Sequence, residues 1–277
     1  MRRRSAVPRG ARSPRPIIAL LTDYGTRDWY AAVMKAIILS RVPHAQLVDI
    51  THEIPPQDVT AGAFILAAAV AWFPAGTIFV CVVDPRVGSR RALLAAEADG
   101  RYFLGPDNGL LSLALARARR RRIIRLTNHR LWLPAISRTF HGRDILAPVA
   151  ASLACGGSWR RLGTPVHQIQ TLEAFHTPLV HRAGALHGRI VHIDRFGNLI
   201  TNLPATRKTS ANPETSRVHY RGRAIRVVSS YDRGRPREPI AVIGSLGMIE
   251  LAVRNGSAAK RLNARRGDPV VARLRAS

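Results

Sequence analysis

The chain has 277 residues, with 43 Lys and Arg against 17 Asp and Glu, a formal net charge of +26. Its hydrophobic content of 46% suits a packed globular protein with one large domain or two ordinary ones, and no apolar run approaches the ~20 residues of a membrane span. Cys81 and Cys155 stand far apart and belong to no metal-ligand or redox pair, which excludes a disulfide scaffold and reads both as small buried hydrophobes.

The charge raises the possibility of a nucleic-acid partner. Its make-up argues otherwise: three of the 43 basic residues are lysine (Lys35, Lys208, Lys260), which leaves 40 arginines in an alanine-rich chain. That skew reads as the codon bias of a GC-rich genome. Non-specific polyanion binding at low salt is expected, and a basic nucleic-acid-binding module is the alternative function from another class. Six arginines precede residue 16 without the apolar stretch of a secretory signal. Residues 1–15 are therefore expected to be a disordered basic extension, and the protein cytoplasmic, with no membrane association.

From residue 17 onward, short apolar runs alternate with helical ones, as in βαβ units. Ile17 to Leu21 is a strand that stops at Thr22-Asp23-Tyr24-Gly25. A helix from Asp28 to about Val42 is expected to bury Trp29, Val33, Ile37 and Ile38, and Gln46 to Ile50 is the next strand. Pro55-Pro56-Gln57-Asp58 starts a second helix that ends at Pro74-Ala75-Gly76. Thr77 to Val83 is a strand that stops at Asp84-Pro85-Arg86-Val87-Gly88, and Ala92 to Ala96 is another. Pro106-Asp107-Asn108-Gly109 is a turn before a helix through Leu110, Leu113 and Leu115. His141-Gly142-Arg143-Asp144 leads into a helix over 145–155, with Asp144 placed as a cap and Pro148 in the first turns.

After about residue 170 the pattern changes to short alternating or β-branched runs: 187–193, 199–203, 224–229, 240–244, 248–253 and 269–273. The polar stretch 205–222 reads as a long loop. The expected architecture is an α/β domain over 16–170, a mostly parallel sheet flanked by helices, plus a smaller all-β, barrel-like domain over 180–277.

Asp23 and Asp84 each close an apolar strand and open a glycine-bearing loop. In open α/β sheets such loops form the ligand crevice, so two carboxylates there suggest a polar, hydroxyl-bearing or cationic small molecule. An aspartate in such a place also caps helices and shapes turns, and the residues alone leave both readings open. The same holds for His141 and Asp144 before their helix, and for Asp194 and Asn198 in the turn between two strands. A metal site from Asp84, His141 and Asp144 is conceivable, but the spacing does not demand it. No G-x-S-x-G, P-loop or H-E-x-x-H pattern occurs.

Eight segments then occur in order: Leu-Thr-Asp-Tyr-Gly at 21–25, Asp-Ile-Thr-His-Glu-Ile-Pro-Pro at 49–56, Phe-Pro-Ala-Gly-Thr at 73–77, Val-Val-Asp-Pro at 82–85, Pro-Asp-Asn-Gly at 106–109, Thr-Phe-His-Gly-Arg-Asp at 139–144, Asp-Arg-Phe-Gly-Asn-Leu-Ile-Thr-Asn at 194–202, and Gly-Ser-Leu-Gly-Met-Ile-Glu-Leu-Ala at 244–252. Together they resemble the S-adenosyl-L-methionine (SAM) hydroxide adenosyltransferases, the hydrolase relatives of the SAM-dependent fluorinase and chlorinase, over residues 17–273. The resemblance implies that SAM and water give adenosine and L-methionine without metal or redox cofactor. It implies a homotrimer with active sites between subunits. It places catalysis on Asp84, Arg91 and His141, ribose binding on Asp23, and methionine and adenine binding on Asp194, Asn198 and Ser245. Halide transfer is the alternative within the family, and its halogenating members lack the hydrolytic Asp, Arg and His. One departure is Arg86, which stands where the family usually carries glycine; a positive φ there would strain the loop, and its charge would compete with Arg91 for Asp84.

Overall fold

The computed structural model describes residues 15–116, 118–172, 180–182, 185–205 and 216–273. Residues 1–14 and 206–215, and with them most of the expected extension and the middle of the expected long loop, lie outside the described residues. The chain divides into two units between Thr171 and Leu172.

The first unit is built on a seven-stranded sheet of order β2-β1-β3-β5-β4-β6-β7. Its strands are β1 (Ile17–Thr22), β2 (Gln46–Thr51), β3 (Ile78–Val82), β4 (Leu93–Ala98), β5 (Arg101–Pro106), β6 (Arg121–Leu126) and β7 (Gly163–Val166). β1 pairs in parallel with β2 and β3, and β3 with β5, whereas β4 and β7 run against their neighbours. Five strands thus point one way in a mixed sheet. β5 to β7 extend it beyond the strands expected from the sequence. The Asp99-Gly100 turn between β4 and β5 has φ of 46° and 77°, the twist a two-residue hairpin prefers.

β1 is apolar from Ile17 to Leu21, as suits a strand covered on both faces. Alternation sends Ile18 and Leu20 to one core, with Met34 and Ile38, and Ala19 and Leu21 to the other, with Ala61 and Leu66. Helix α1 (Tyr30–Arg41) and α4 (Ala147–Ala154) supply the first layer, and α2 (Val59–Ala69) and α3 (Ser112–Ala116) the second. The buried stripe of α1 is Ala31, Met34 and Ile38, and Trp29 is 53% exposed rather than packed beneath the helix. Asp58 caps α2, accepting from the Ala61 N–H at 2.9 Å. Cys81 is buried as expected; Cys155, just past the end of α4, is exposed, which corrects the reading of both as core residues.

The strand order contains a topological switch point. The chain leaves β1 to one side for β2 and crosses back to the other for β3, so the order reverses at β1 and β3. Crevices in such sheets lie at the carboxyl ends of the strands at that switch point, where Asp23 and Asp84 stand.

The second unit is an eight-stranded antiparallel sheet. It comprises β8 (Val180–Arg182), β9 (Ala185–Ile193), β10 (Leu199–Pro204), β11 (Arg217–Tyr220), β12 (Arg223–Arg226), β13 (Pro239–Ile243), β14 (Met248–Val253) and β15 (Pro269–Arg273). The main path is β12-β11-β15-β9-β10-β14-β13, with β8 on β9. A bridge from Val227 to Ala241 and the Val228 N–H to Ala241 carbonyl bond at 2.8 Å nearly close the barrel. Leu186, Ile190, Leu199, Val218, Tyr220, Leu251 and Val270 fill it. β11 lies inside the stretch expected to be loop; its short run, Arg-Val-His-Tyr, alternates behind two exposed arginines and hides the pattern. Helix α5 (Ala258–Leu262) is capped by the Ser257 hydroxyl, which accepts from the Lys260 N–H at 3.2 Å.

Candidate active site

Three residues from two distant segments meet at the end of β3. The Arg91 Nε donates to both carboxylate oxygens of Asp84, at 2.8 and 2.6 Å, and Nη2 pairs with the same carboxylate. Nη2 also lies 2.9 Å from His141 Nδ1. The side chains of Arg91 and Asp84 are only 3% and 5% exposed, so each ion depends on the other for its place in the interior. A guanidinium can only donate, so His141 Nδ1 is the acceptor and the ring carries its proton on Nε2. Burial and then the Arg91 charge hold the His141 pKa below its ordinary value, against the opposing influence of Asp84. Nη1 of Arg91 makes no hydrogen bond to any described residue. A cavity of about 270 Å³ reaches Arg91 and His141 past Arg90, Arg125 and Ile136.

The loop that carries Arg91 is shaped by backbone geometry. Gly88 has φ of +79°, and a Cβ there would sit 2.3 Å from the Arg138 carbonyl oxygen. Only glycine allows this approach, which fastens the 84–91 loop to the segment before His141. Arg86 has a negative φ and is exposed. The strain expected from replacing glycine at that position does not arise, and both Asp84 oxygens are taken by Arg91, so Arg86 does not displace it.

His141 precedes a single π-helical turn, Gly142–Leu146, that leads into α4. Asp144 lies within that turn instead of capping it. It is fully buried and accepts from Arg143 Nε at 2.5 Å and the Ser137 N–H at 2.7 Å. Asp144 thus ties down the segment leading to His141. Gly142 leaves space for Tyr24, whose hydroxyl would be 2.8 Å from an added Cβ. No cluster of three metal-binding side chains occurs among the described residues.

Asp23 stands at the end of β1, half-buried, with Oδ2 accepting from the Gln57 N–H at 2.8 Å. Burial raises its pKa; the Gln57 bond opposes that rise and the nearby Asp84 charge adds to it. Beside it Tyr24, Trp29, Tyr30 and Phe140 form a ring cluster with centroid separations of 4.6 to 5.8 Å, in which Trp29 and Tyr30 are 53% and 38% exposed. This aromatic surface was not evident in the sequence, because Tyr24, Trp29 and Tyr30 lie close together in the chain but Phe140, which packs against all three, comes from a remote segment.

In the second unit Asp194 organises the turn between β9 and β10. Its Oδ1 accepts from the Phe196 and Asn198 N–H groups at 2.9 and 2.8 Å, and Oδ2 from Asn198 Nδ2 at 2.9 Å. These residues line a groove of about 650 Å³ with Tyr231, Asp232, Arg254 and Asn255. Phe196 and Tyr231 are exposed there, at 76% and 46%. The Tyr231 hydroxyl donates to Glu250 at 3.1 Å. Burial, with a smaller contribution from Asp194, raises the Glu250 pKa above its ordinary value. Glu250 and Tyr231 were not singled out from the sequence. Ser245 is exposed in the tight 244–247 turn and does not line this groove.

The structure thus brings Asp84, Arg91 and His141 together with Asp23 nearby, and pairs Asp194 with Asn198 on the other unit. A mixed α/β domain bearing a buried Asp–Arg–His array, followed by a small β-barrel with an aromatic-walled groove, defines a two-domain class of proteins. Family profiles described as the SAM hydroxide adenosyltransferase N-terminal and C-terminal domains match residues 18–163 and 188–271. The chain belongs to the SAM hydroxide adenosyltransferase family. It is 38% identical to the (R)-S-adenosyl-L-methionine hydrolase of Thermus thermophilus over 92% of this chain and 98% of that one, and 37% identical to that of Salinispora tropica over 92% and 97%. A fluorinase of an Actinoplanes species is 28% identical over 86% of this chain and 90% of its own. Among solved structures, an uncharacterised conserved protein of Thermotoga maritima superposes with a TM-score of 0.86 at 32% identity, covering 92% of this chain and 99% of that one.

Proposed function

We propose that the protein hydrolyses SAM to adenosine and L-methionine, with Asp84, Arg91 and His141 activating the water and Asp23 holding the ribose. The observation that carries this reading is the Arg91 guanidinium, buried between a carboxylate and a neutral imidazole, with Nη1 left over to face an oxygen nucleophile. The sulfonium departs as a neutral thioether and needs no acid. The nucleophile is the obstacle, since water ionises at a pKa of ~15.7. Nη1 donates to the attacking oxygen and stabilises hydroxide-like charge as the C5′–O bond forms and the C5′–S bond breaks. One proton leaves for solvent, carrying away the positive charge of the sulfonium.

His141 serves this step as the acceptor that fixes Arg91. Its Nδ1 lone pair is engaged, so the imidazole orients the guanidinium instead of taking the water proton directly. Asp84 grips the guanidinium from the other side and keeps it planar to the site. Asp23 accepts from the ribose hydroxyls, Asp194 pairs with the methionine ammonium, and Asn198 and Ser245 are the further contacts to the methionine and adenine portions, Ser245 from outside the Asp194 groove. None of these roles requires a metal or a separate cofactor.

The two hydrolases named above are hydrolases of (R)-S-adenosyl-L-methionine, and we extend that epimer to this chain as its preferred substrate. We also propose a homotrimer in which two subunits share each substrate. What supports it is that each unit exposes aromatic rings and holds only part of the residue set. Incubation with purified (R)- and (S)-SAM, followed by chromatography, tests the reading: adenosine and methionine in equal amounts, faster from the (R) epimer, are expected. A 5′-halo-5′-deoxyadenosine formed in chloride or fluoride would instead assign halide transfer, and no nucleoside product in any medium would end the assignment.

A further inference from the structure

Beneath the Asp23 turn lies a polar chain that takes no part in the chemistry above. Lys35 Nζ donates to Asp49 Oδ2 at 2.6 Å, and Asp49 Oδ1 faces His52 Nε2 at 3.1 Å. His52 Nδ1 lies 2.8 Å from the Thr22 hydroxyl, and that hydroxyl accepts from the Tyr24 N–H at 3.3 Å. Thr22 is completely buried and His52 is 4% exposed. The His52 carbonyl also accepts from the Gly25 N–H at 2.7 Å. One residue therefore holds the 22–25 turn twice, once through its ring and once through its backbone.

The donors and acceptors along this chain have one consistent order. A carboxylate only accepts, so the His52 proton sits on Nε2 facing Asp49. Nδ1 is then an acceptor, the Thr22 hydroxyl donates to it, and the hydroxyl lone pairs remain to accept from Tyr24. The Nε2 approach to Asp49 is out of line for a full hydrogen bond, and Nε2 has no other partner among the described residues. A buried polar atom so poorly satisfied costs stability that an apolar side chain would avoid. The arrangement is therefore better explained by what it holds in place than by folding alone.

We propose that His52 is a positioning residue for substrate binding: through Thr22 it fixes the turn that aims the Asp23 carboxylate at the ribose hydroxyls. This rests on the ribose-binding role of Asp23 proposed above. Neither His52 nor Thr22 touches the reacting atoms, so their loss should weaken binding in ground and transition states alike and appear in KM rather than kcat.

The test compares His52→Leu, His52→Asn, Thr22→Val and the double variant Thr22→Val/His52→Leu with the wild type. It reads SAM turnover, adenosine binding by calorimetry, and thermal unfolding. His52→Leu and Thr22→Val should each raise KM and the adenosine Kd about tenfold, with kcat changed less than about twofold. His52→Asn keeps an acceptor near Nδ1 and should recover most of the loss. The double variant should be no worse than His52→Leu, because both break the same chain. Should His52→Leu fail to fold, Thr22→Val, which changes one atom, carries the comparison with His52→Asn. An unchanged KM and Kd in folded variants, or a loss confined to kcat, overturns the positioning role. A wild type that binds adenosine but turns over no SAM refutes the proposed reaction and leaves the binding comparison decisive; a wild type that binds no adenosine overturns both.

Discussion

Arg91 Nη2 lies 2.9 Å from His141 Nδ1, and because the guanidinium can only donate, the imidazole must accept. This one contact sets the tautomer of His141 and ties its protonation to the position of Arg91. It also divides the partners of Arg91: Asp84 neutralises the guanidinium, His141 orients it, and Nη1 is the group left for the nucleophile in the proposed reaction.

Removing Arg91 is expected to affect stability and rate together. Arg91→Ala leaves Asp84, 5% exposed, without its counter-ion, and breaking such a buried pair costs about 3–5 kcal/mol. The rate should fall by about 10²- to 10³-fold, the usual loss when a preorganised donor to a developing oxyanion is removed. Arg91→Lys keeps the charge but not the planar fork that spans Asp84 and His141; it should be more stable than Arg91→Ala and nearly as slow. Melting temperature and kcat from the same preparations check this, and wild-type kcat in either variant would remove Arg91 from the reaction.

The pH response follows from the direction of the His141 shift. Its pKa is lowered by burial and by Arg91, so the folded protein binds the proton less readily than the unfolded chain, whose histidine titrates near ~6.5. At neutral pH both states are uncharged and nothing is lost. As pH falls below ~6.5 the unfolded chain takes up the proton first, and stability declines until the folded pKa is passed. Protonation also makes Nδ1 a donor facing Arg91, so kcat should be flat near pH 7 with an acidic limb below ~6.5. His141→Asn, which keeps an acceptor for Arg91 but does not titrate, should abolish that limb and retain much of the rate, whereas His141→Ala should lose most of it. A limb centred above ~6.5 would contradict the lowered pKa of His141.

The strands ending at Asp23 and Asp84 were legible because β1 and β3 are buried on both faces and read as unbroken apolar runs. β6 was not, since Arg121, Arg122 and Arg125 are exposed on it and mask Ile123 and Ile124. Asp84 and His141 stand in recognisable segments and Arg91 followed from the family resemblance, but local sequence carries no sign that residues 7 and 50 positions from Arg91 share its guanidinium. The backbone conformation at Arg86 was equally invisible. A glycine preference there suggested a positive φ, whereas the constraint sits two residues later, at Gly88, where a carbonyl oxygen approaches from the 138 region.

That difference gives a paired prediction. Arg86→Gly relieves no strain and only loosens the unfolded chain, so it should cost about 0.5–1 kcal/mol of stability and change kcat less than about twofold. Gly88→Ala places a methyl against the Arg138 oxygen at a φ of +79°. It should displace the 84–91 loop and lower kcat at least about tenfold, since small misplacements of catalytic groups carry large rate penalties. Steady-state assays of both variants decide it; a larger defect in Arg86→Gly than in Gly88→Ala would reverse the assignment.

The Asp194–Asn198 pair allows charge to be separated from scaffolding. Asp194→Asn keeps an oxygen for the Phe196 and Asn198 N–H groups but loses the bond from Asn198 Nδ2, which should cost about 1 kcal/mol. It also removes the anion proposed to face the methionine ammonium, so KM should rise about tenfold or more while kcat changes little. The exchanged variant Asp194→Asn/Asn198→Asp restores an amide-to-carboxylate bond across the turn and keeps the net charge, but moves the anion four residues along. If Asp194 acts through the place of its charge, the exchange should recover the melting temperature and leave KM high. Recovery of both would make Asp194 a turn-former alone and reassign ammonium recognition, with the buried Glu250 carboxylate behind Tyr231 the next group to replace.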